Sequence, residues 1–260
     1  MEEENRKASV PALDKSLDII EYMMLVNKPL STKDISNALA IPIATTYRII
    51  NNLEYRGYIR QVKYQSGSYV LGFKFLQLSE SVKKQLNLNV VALPTMRELA
   101  DNTGHTVNIG VLQNDGVLYI LQELPSTPVS IIAGLGVVIS LNTSAIGKVL
   151  TAFLPEMEQY RFLKVTKLLS KTENSIIEQN KFKKELDIIK TQRFGRDNEE
   201  YAIGISCLAA PIFNFAGEAI AAIGITGHTR DYENETIFLK LKNEVMSAAN
   251  NISRGFGYLG

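Results

Sequence analysis

The sequence predicts an α+β protein: an N-terminal winged helix-turn-helix joined by a helical linker to a C-terminal domain with a mostly antiparallel sheet. Three observations carry that prediction. Between Ser31 and Leu71, two short helical patterns separated by Ala40-Ile41-Pro42 are followed by two strand patterns around a polar turn. Leu71, Phe75, Leu78, Val82 and Leu86 then keep one apolar seam at helical spacing, and beyond it helical and strand patterns alternate to the end. The expected division is a winged helix-turn-helix over 10–72, a linker over 73–87 and a third segment over 88–260.

Taken in order, the first helix runs from Ala12 to Asn27, where Leu13, Leu17, Ile20 and Met24 form one stripe. The stripe has two uses open to it, covering the helix-turn-helix core or meeting the same helix of a second subunit. Ser31 is placed to cap the next helix, Asp34 answers from its third position, and Leu30 and Ile35 fall at staple spacing. Pro42 opens another helix, since proline fits a first turn but not an interior. Thr46, Ile49, Ile50 and Leu53 face inward there, leaving Thr45, Tyr47, Arg48, Asn51 and Asn52 on outer or flanking faces. Gly57 suits a positive-φ helix end, and strands Tyr58 to Gln61 and Ser68 to Leu71 flank a turn carrying Lys63 and Tyr64.

Short helix, tight turn, longer helix and hairpin is the geometry that sets one helix in a major groove with a wing beside it. From Asn27 to Gly72, six cations (Lys28, Lys33, Arg48, Arg56, Arg60, Lys63) less two acids (Asp34, Glu54) give +4, whereas the whole chain is +1. Phosphate contacts supply most nonspecific affinity, so double-stranded DNA is the expected partner. The plainer alternative is a winged helix that serves protein contacts alone. For the linker, a narrow apolar seam suits either a helix that transmits rotation or one packed on its own domain.

In the remainder, Val90 to Thr103 reads as a helix ending at Gly104. His105 to Leu112 and Val117 to Leu124 form a hairpin about Asn114-Asp115-Gly116. Val129 to Ala133 and Val137 to Leu141 read as edge strands around Gly134-Leu135-Gly136. Helices are expected from Ala145 to Leu154, after Pro155 and from Ser175 to Arg193. Two apolar strands, Ile205 to Phe213 and Ala219 to Thr226, precede a last helix near Asn234. The 260 residues, 45% hydrophobic, suffice for two cores. With no apolar run of membrane-spanning length, an acidic Met1-Glu2-Glu3-Glu4 start and one cysteine, the chain is expected to be cytoplasmic and without a membrane partner.

Two sets of residues resemble a known family. The run from Ser31-Thr32-Lys33-Asp34-Ile35 through Ile41-Pro42-Ile43-Ala44-Thr45-Thr46-Tyr47-Arg48, then Gly57-Tyr58-Ile59 and Tyr69-Val70-Leu71-Gly72, is similar to the DNA-binding domain of IclR-family bacterial transcription regulators. Leu99 to Gly104, Asn142 to Leu150, and Asp197-Asn198-Glu199-Glu200 with Gly204 to Ile212 resemble the family's effector-binding domain, so the similarity spans Val10 to Ser253. It implies a GAF-like fold over 88–260 that binds a small effector, a homodimer or dimer of dimers on palindromic operator DNA, and the first helix in the dimer contact. Implied DNA contacts are Ser31, Ile43, Ala44, Thr45, Tyr47, Arg48, Asn51, Lys63 and Tyr64, with Ile43 and Ala44 in place of the family's frequent lysine and serine.

The implied effector contacts are Ala145, Ile146, Asp197, Cys207, Gly224 and Thr226. The start of the helix at Ser144-Ala145-Ile146-Gly147 has unpaired N–H groups suited to a carboxylate, while Thr226 and Asp197 suit a ligand hydroxyl. Gly224 departs from a common serine and is expected to leave room for a carbon substituent rather than a second carboxylate. A small organic acid or hydroxylated aromatic is the expected effector. The competing reading is a GAF-like enzyme or redox sensor using Cys207, with His105 or His228 beside it. Against it, Cys207 lies in an apolar run that buries an inert thiol. Without a recognisable Ser-His-Asp set, paired-cysteine motif or Gly-rich phosphate loop, neither catalysis nor a metal or cofactor is expected.

Overall fold

The computed structural model describes residues 10–63, 67–86, 88–114, 116–126 and 134–260. The chain divides into two compact units, 1–87 and 88–260.

In the first unit, α1 (Pro11–Val26), α2 (Thr32–Ala38), α3 (Ile43–Tyr55) and α4 (Lys74–Leu86) accompany a small antiparallel sheet. Its order is β1-β3-β2, from Leu30–Ser31, Ser68–Leu71 and Ile59–Gln61. The two-residue β1 is too short to show alternation in sequence. Ser31 closes a capping box on α2, donating its hydroxyl to Asp34 Oδ2 at 2.7 Å while its backbone N–H donates to the same oxygen at 2.9 Å. These bonds hold the Asp34 carboxyl below its ordinary pKa. In the turn to α3, Ala40 takes φ 51°. The hydroxyls of Ser36 and Thr46 both donate to the Ile41 carbonyl, at 2.7 and 3.3 Å. Thr46, Ile50 and Leu53 are buried, whereas Ile49 is only partly so.

Of the α1 stripe only Ile20 packs against the core, and it is partly buried. Leu13, Leu17 and Met24 are 54%, 46% and 62% exposed, and Ile19 and Met23, one position earlier, meet Ile35, Ile50 and Ile59 instead. At the start of α4, Phe75 packs edge-on against Tyr58, while Leu78 stands exposed. The expected seam therefore packs on its own unit at Phe75 and is exposed at Leu78.

In the second unit, α5 (Leu88–Thr103) and α9 (Glu235–Gly255) cover one face of a six-stranded antiparallel sheet, and α6 (Ala145–Ala152) and α8 (Gln179–Gln192) cover the other. The order is β6-β5-β4-β9-β8-β7, from Val138–Ser140, Gly116–Glu123, Thr106–Gln113, Ala219–His228, Ile205–Phe213 and Gly195–Asn198. Between α6 and α8 lies α7 (Glu156–Val165). Met96, Leu99, Val245 and Ile252 pack on Ile109, Leu208 and Ile223 of one face; Val149, Leu150 and Leu186 meet Val117, Ala209 and Ala222 of the other.

Two expectations need amendment. The long helix starts at Gln179, not Ser175, because Ser175 donates to the Glu200 carbonyl at 2.7 Å and accepts from the Lys171 and Thr172 N–H groups. The Asp197 segment forms an edge strand, β7, which its polar sequence concealed. The strand expected over Val129 to Ala133 and the turn residue Asp115 lie outside the described residues.

Two glycines set how the wing joins α3. Gly57 adopts φ 79°, and a Cβ on Gly72 would lie 2.1 Å from the Gly57 carbonyl oxygen. Gly72→Ala should therefore destabilise the first unit by about 1–3 kcal/mol through overpacking. Urea denaturation of this variant, compared with a surface control such as Gln77→Ala, measures it.

Candidate functional site

On the first unit the outer side of α3 forms a candidate nucleic-acid interface. Ile43, Ala44, Tyr47, Arg48 and Asn51 are exposed and Thr45 is half-buried. Pro42 starts this helix without a side-chain cap, and its carbonyl oxygen accepts from the Thr45 and Thr46 N–H groups, both at 2.9 Å. Lys63 at the wing is exposed, and Tyr64 lies outside the described residues. The Ser31 hydroxyl is engaged in the α2 cap. A polar helix face with Arg48 and Asn51 can donate and accept at base edges, while Lys63 can approach phosphate.

On the second unit a cavity of about 320 Å³ opens on the α6 face of the sheet. Its polar wall includes Thr143, Ser144, Asp197, Cys207 and Thr226, and its apolar wall includes Tyr119, Val137, Ile139 and Ile205. The register explains the convergence: Asp197 on β7 pairs with Cys207 on β8, which pairs with Thr226 on β9. Directly paired residues project to one face, so three distant stretches of sequence form a row. The Cys207 thiol lies 3.4 Å from the Thr226 hydroxyl.

Ala145, Ile146 and Gly224 are not among the lining residues. Ile146 is buried, and a Cβ on Gly224 would lie 3.2 Å from its side chain. A Cβ on Gly110 would likewise come within 2.9 Å of Ile146. The room expected at Gly224 is thus filled by Ile146, a larger residue on the helix offsetting a smaller one on the strand. The Ser144 hydroxyl accepts from the Gly147 N–H at 3.3 Å, capping α6.

Asp197 is also more committed than the sequence suggested. Its Oδ1 accepts from the Glu200 N–H at 2.7 Å and the Tyr201 N–H at 3.4 Å, fixing the loop after β7. Glu200 in turn receives Lys148 Nζ at 2.7 Å, and Glu185 of α8 receives it at 3.3 Å. Lys148 has no exposed surface. Burial raises the Asp197 pKa, with the Glu200 N–H bond opposing it; burial also raises Glu200, with Lys148 opposing. The Cys207 thiol is pushed well up, first by burial and then by Asp197. A thiol so protonated is a poor nucleophile.

Sequence reasoning missed Tyr119, Val137, Ile139 and Ile205, which only strand order brings together, and Lys148. A lone lysine in the apolar run Ala145-Ile146-Gly147-Lys148-Val149-Leu150 was the available signal for Lys148. His105 is elsewhere employed, its Nδ1 2.6 Å from the Thr103 carbonyl oxygen.

A model of the IclR helix-turn-helix domain matches residues 12–63, and one of the bacterial transcriptional regulator IclR C-terminal domain matches 80–254. The chain belongs to the IclR family of bacterial transcriptional regulators. It is 30% identical to the HTH-type transcriptional regulator RhmR of Escherichia coli, over 96% of this chain and 95% of that protein. Identity to the E. coli transcriptional repressor IclR is 26%, covering 95% and 90%. Among solved structures, Thermotoga maritima IclR superposes with a TM-score of 0.76 at 28% identity, covering 95% of this chain and 98% of that one. An IclR homologue from Microbacterium hydrocarbonoxydans, complexed with 4-hydroxybenzoate, shares the fold with a TM-score of 0.83 at 18% identity, covering 95% and 99%. The fold class expected from sequence is thereby established, as are the family's helix-turn-helix and effector-binding domains.

Breaking the buried pair should be costly. Lys148→Ala strands Glu200 and Glu185 and is expected to destabilise the second unit by about 3–5 kcal/mol, whereas Lys148→Met with Glu200→Gln should recover part of that loss in thermal denaturation. The pH dependence has a defined sign. Above the ordinary 3.8 and 4.5 of Asp197 and Glu200, and up to their raised values, the folded state holds more protons than the unfolded chain. Their contribution to stability therefore falls as pH rises through that window. Denaturation from about pH 4 upward should show a decline that Asp197→Asn makes shallower.

Proposed function

We propose that this IclR-family chain is a ligand-responsive regulator that binds partly palindromic operator DNA as a homodimer or larger homo-oligomer. The α3 helix enters the major groove, Lys63 and the wing meet the backbone, and a small effector occupies the cavity of the second unit. The observation that carries the reading is the division of α3 into a buried face and an exposed one bearing Ile43, Ala44, Tyr47, Arg48 and Asn51. The exposed stripe of Leu13, Leu17 and Met24 supports pairing with a second copy, since the core of its own unit does not use it.

The effector is a small molecule with at most one acidic group and a hydroxyl. Supporting this, the cavity is at the small end of ligand sites, and its described lining has no basic side chain but has the Asp197 carboxylate. A second carboxylate would meet like charge there. The 4-hydroxybenzoate of the Microbacterium homologue has this polarity. Neither catalysis nor redox sensing is part of the reading, because the Cys207 thiol on the cavity wall has its pKa pushed well up and is a poor nucleophile.

Selection of bound DNA from a random pool tests the operator, with an inverted repeat as the expected outcome. On the selected site, Arg48→Ala should cost about 1–3 kcal/mol and relax one base position, while Lys63→Ala should weaken all sequences alike and lower the salt slope by about 1. Equal, sequence-independent losses for both would assign Arg48 to the backbone alone. In sedimentation at micromolar concentration the protein should be dimeric or larger, and Leu17→Asp should shift it toward monomer. A monomeric wild type, or a pool that yields no motif, overturns the reading.

A further inference from the structure

Tyr119 lines the cavity although it stands on β5, two strands away from Thr226 and three from Cys207. Its partner on β4 is Gly110, just past the register shift at Ile109. A Cβ on Gly110 would lie 3.2 Å from Tyr119 Cδ1, so the ring lies over the bare glycine and crosses β4 to reach the cavity. The Tyr119 carbonyl accepts from the Gly136 N–H at 3.0 Å, and the Tyr119 N–H donates to the Val137 carbonyl at 3.4 Å, which fixes the strand there. The side chain is buried.

The phenol ends beside Ser144, the residue that caps α6. Burial raises the Tyr119 pKa far above its ordinary value, and a hydrogen bond with the Ser144 hydroxyl opposes that rise. A bond that favours the phenolate is one donated to the phenol oxygen. Donors therefore run in a chain, from the Gly147 N–H to the Ser144 oxygen and from the Ser144 hydroxyl to Tyr119. The Tyr119 hydrogen is the one left to give, and the bonds behind it strengthen it as a donor. The Asp197 charge also raises Tyr119, so its field reaches the phenol and opposes any anion placed there.

We propose that the Tyr119 hydroxyl is a specificity-determining group of this cavity and selects an uncharged carbonyl oxygen, as in a ketone, amide or ester, over a carboxylate. The inference rests on the reading of this unit as effector-binding and narrows it: the acceptor end of the effector is neutral, and its hydroxyl end faces Asp197. One neutral donor satisfies a carbonyl, whereas a buried carboxylate needs a cation or several N–H groups. No basic side chain is among the described lining residues. The start of α6 does not supply the N–H groups either, because Ala145 and Ile146 are not in the lining and Gly147 and Lys148 donate theirs to Ser144. The apolar wall of Val137, Ile139 and Ile205 suits a hydrocarbon body joining the two polar ends.

The test is calorimetry on the full chain with three phenols of similar size: 4-hydroxyacetophenone, which bears a ketone, 4-hydroxybenzoate, which bears a carboxylate, and 4-ethylphenol, which bears neither. Wild type should bind the ketone at least about tenfold more tightly than the carboxylate. Tyr119→Phe keeps the ring over Gly110, so the melting temperature without ligand should stay within a few degrees of wild type. That variant should weaken the ketone by roughly three- to tenfold and leave 4-ethylphenol unchanged. Carboxylate bound as tightly as ketone, or ketone affinity untouched by Tyr119→Phe, overturns the inference while the effector reading stands. Equal losses for ketone and 4-ethylphenol, or a variant that no longer folds, mark a structural role for Tyr119 and overturn it as well. If no probe binds wild-type protein, the effector reading falls and the inference with it.

Discussion

Lys148 carries an ammonium group with no contact to water, and much of the effector unit is arranged around keeping that charge paired. The lysine belongs to α6, and its partners Glu200 and Glu185 come from the loop after β7 and from α8. An uncompensated charge in this position costs several kcal/mol, so the three elements are held in one arrangement. Asp197 fixes the same loop from the other side through the Glu200 and Tyr201 N–H groups, and the Thr172 hydroxyl donates to the Glu199 carbonyl at 2.6 Å. The wall of the cavity is therefore set by ionic and backbone hydrogen bonds rather than by apolar packing alone.

The DNA-reading unit solves a different problem with neutral groups. A tight turn between two helices leaves carbonyl oxygens unsatisfied, and here the hydroxyls of Ser36 and Thr46 both converge on Ile41. Thr46 is wholly buried, and its hydroxyl also lies 3.2 Å from the Pro42 carbonyl oxygen, so one side chain serves both carbonyls. The angle between α2 and α3 follows from this contact and from Ala40 in the left-handed region. With the inner side of α3 so fixed, its outer side, including Tyr47 and Arg48, is left free of core duties.

On the α6 face of the sheet, volume is exchanged between helix and strand. Ile146 on α6 lies against Gly110 and Gly224, so the strand is bare where the helix is large. Reading either residue alone gives the wrong volume. Burial raises the pKa of both Asp197 and Glu200, and the Asp197 charge raises Glu200 further, while burial first and Asp197 next push up the thiol of Cys207 beside them.

Local signals determined a good part of this protein. The Ser31 and Asp34 cap, the proline that opens α3, the period of Thr46, Ile50 and Leu53, and the hairpin glycines are interactions between residues close in sequence, so the helix-turn-helix was legible there. The α+β character of the second unit was legible for the same reason, since apolar periodicity marks its longer strands and helices. The tertiary structure alone decided which face of α1 is core, because the exposed Leu13, Leu17 and Met24 form the more continuous apolar stripe while the buried Ile19 and Met23 stand one position away from it. It alone identified β7, whose polar residues pair only because β8 lies alongside. It also decided the cavity: Tyr119, Asp197, Cys207 and Thr226 meet through strand order and register, which depend on contacts a hundred residues apart in order of magnitude and leave no mark on any one segment.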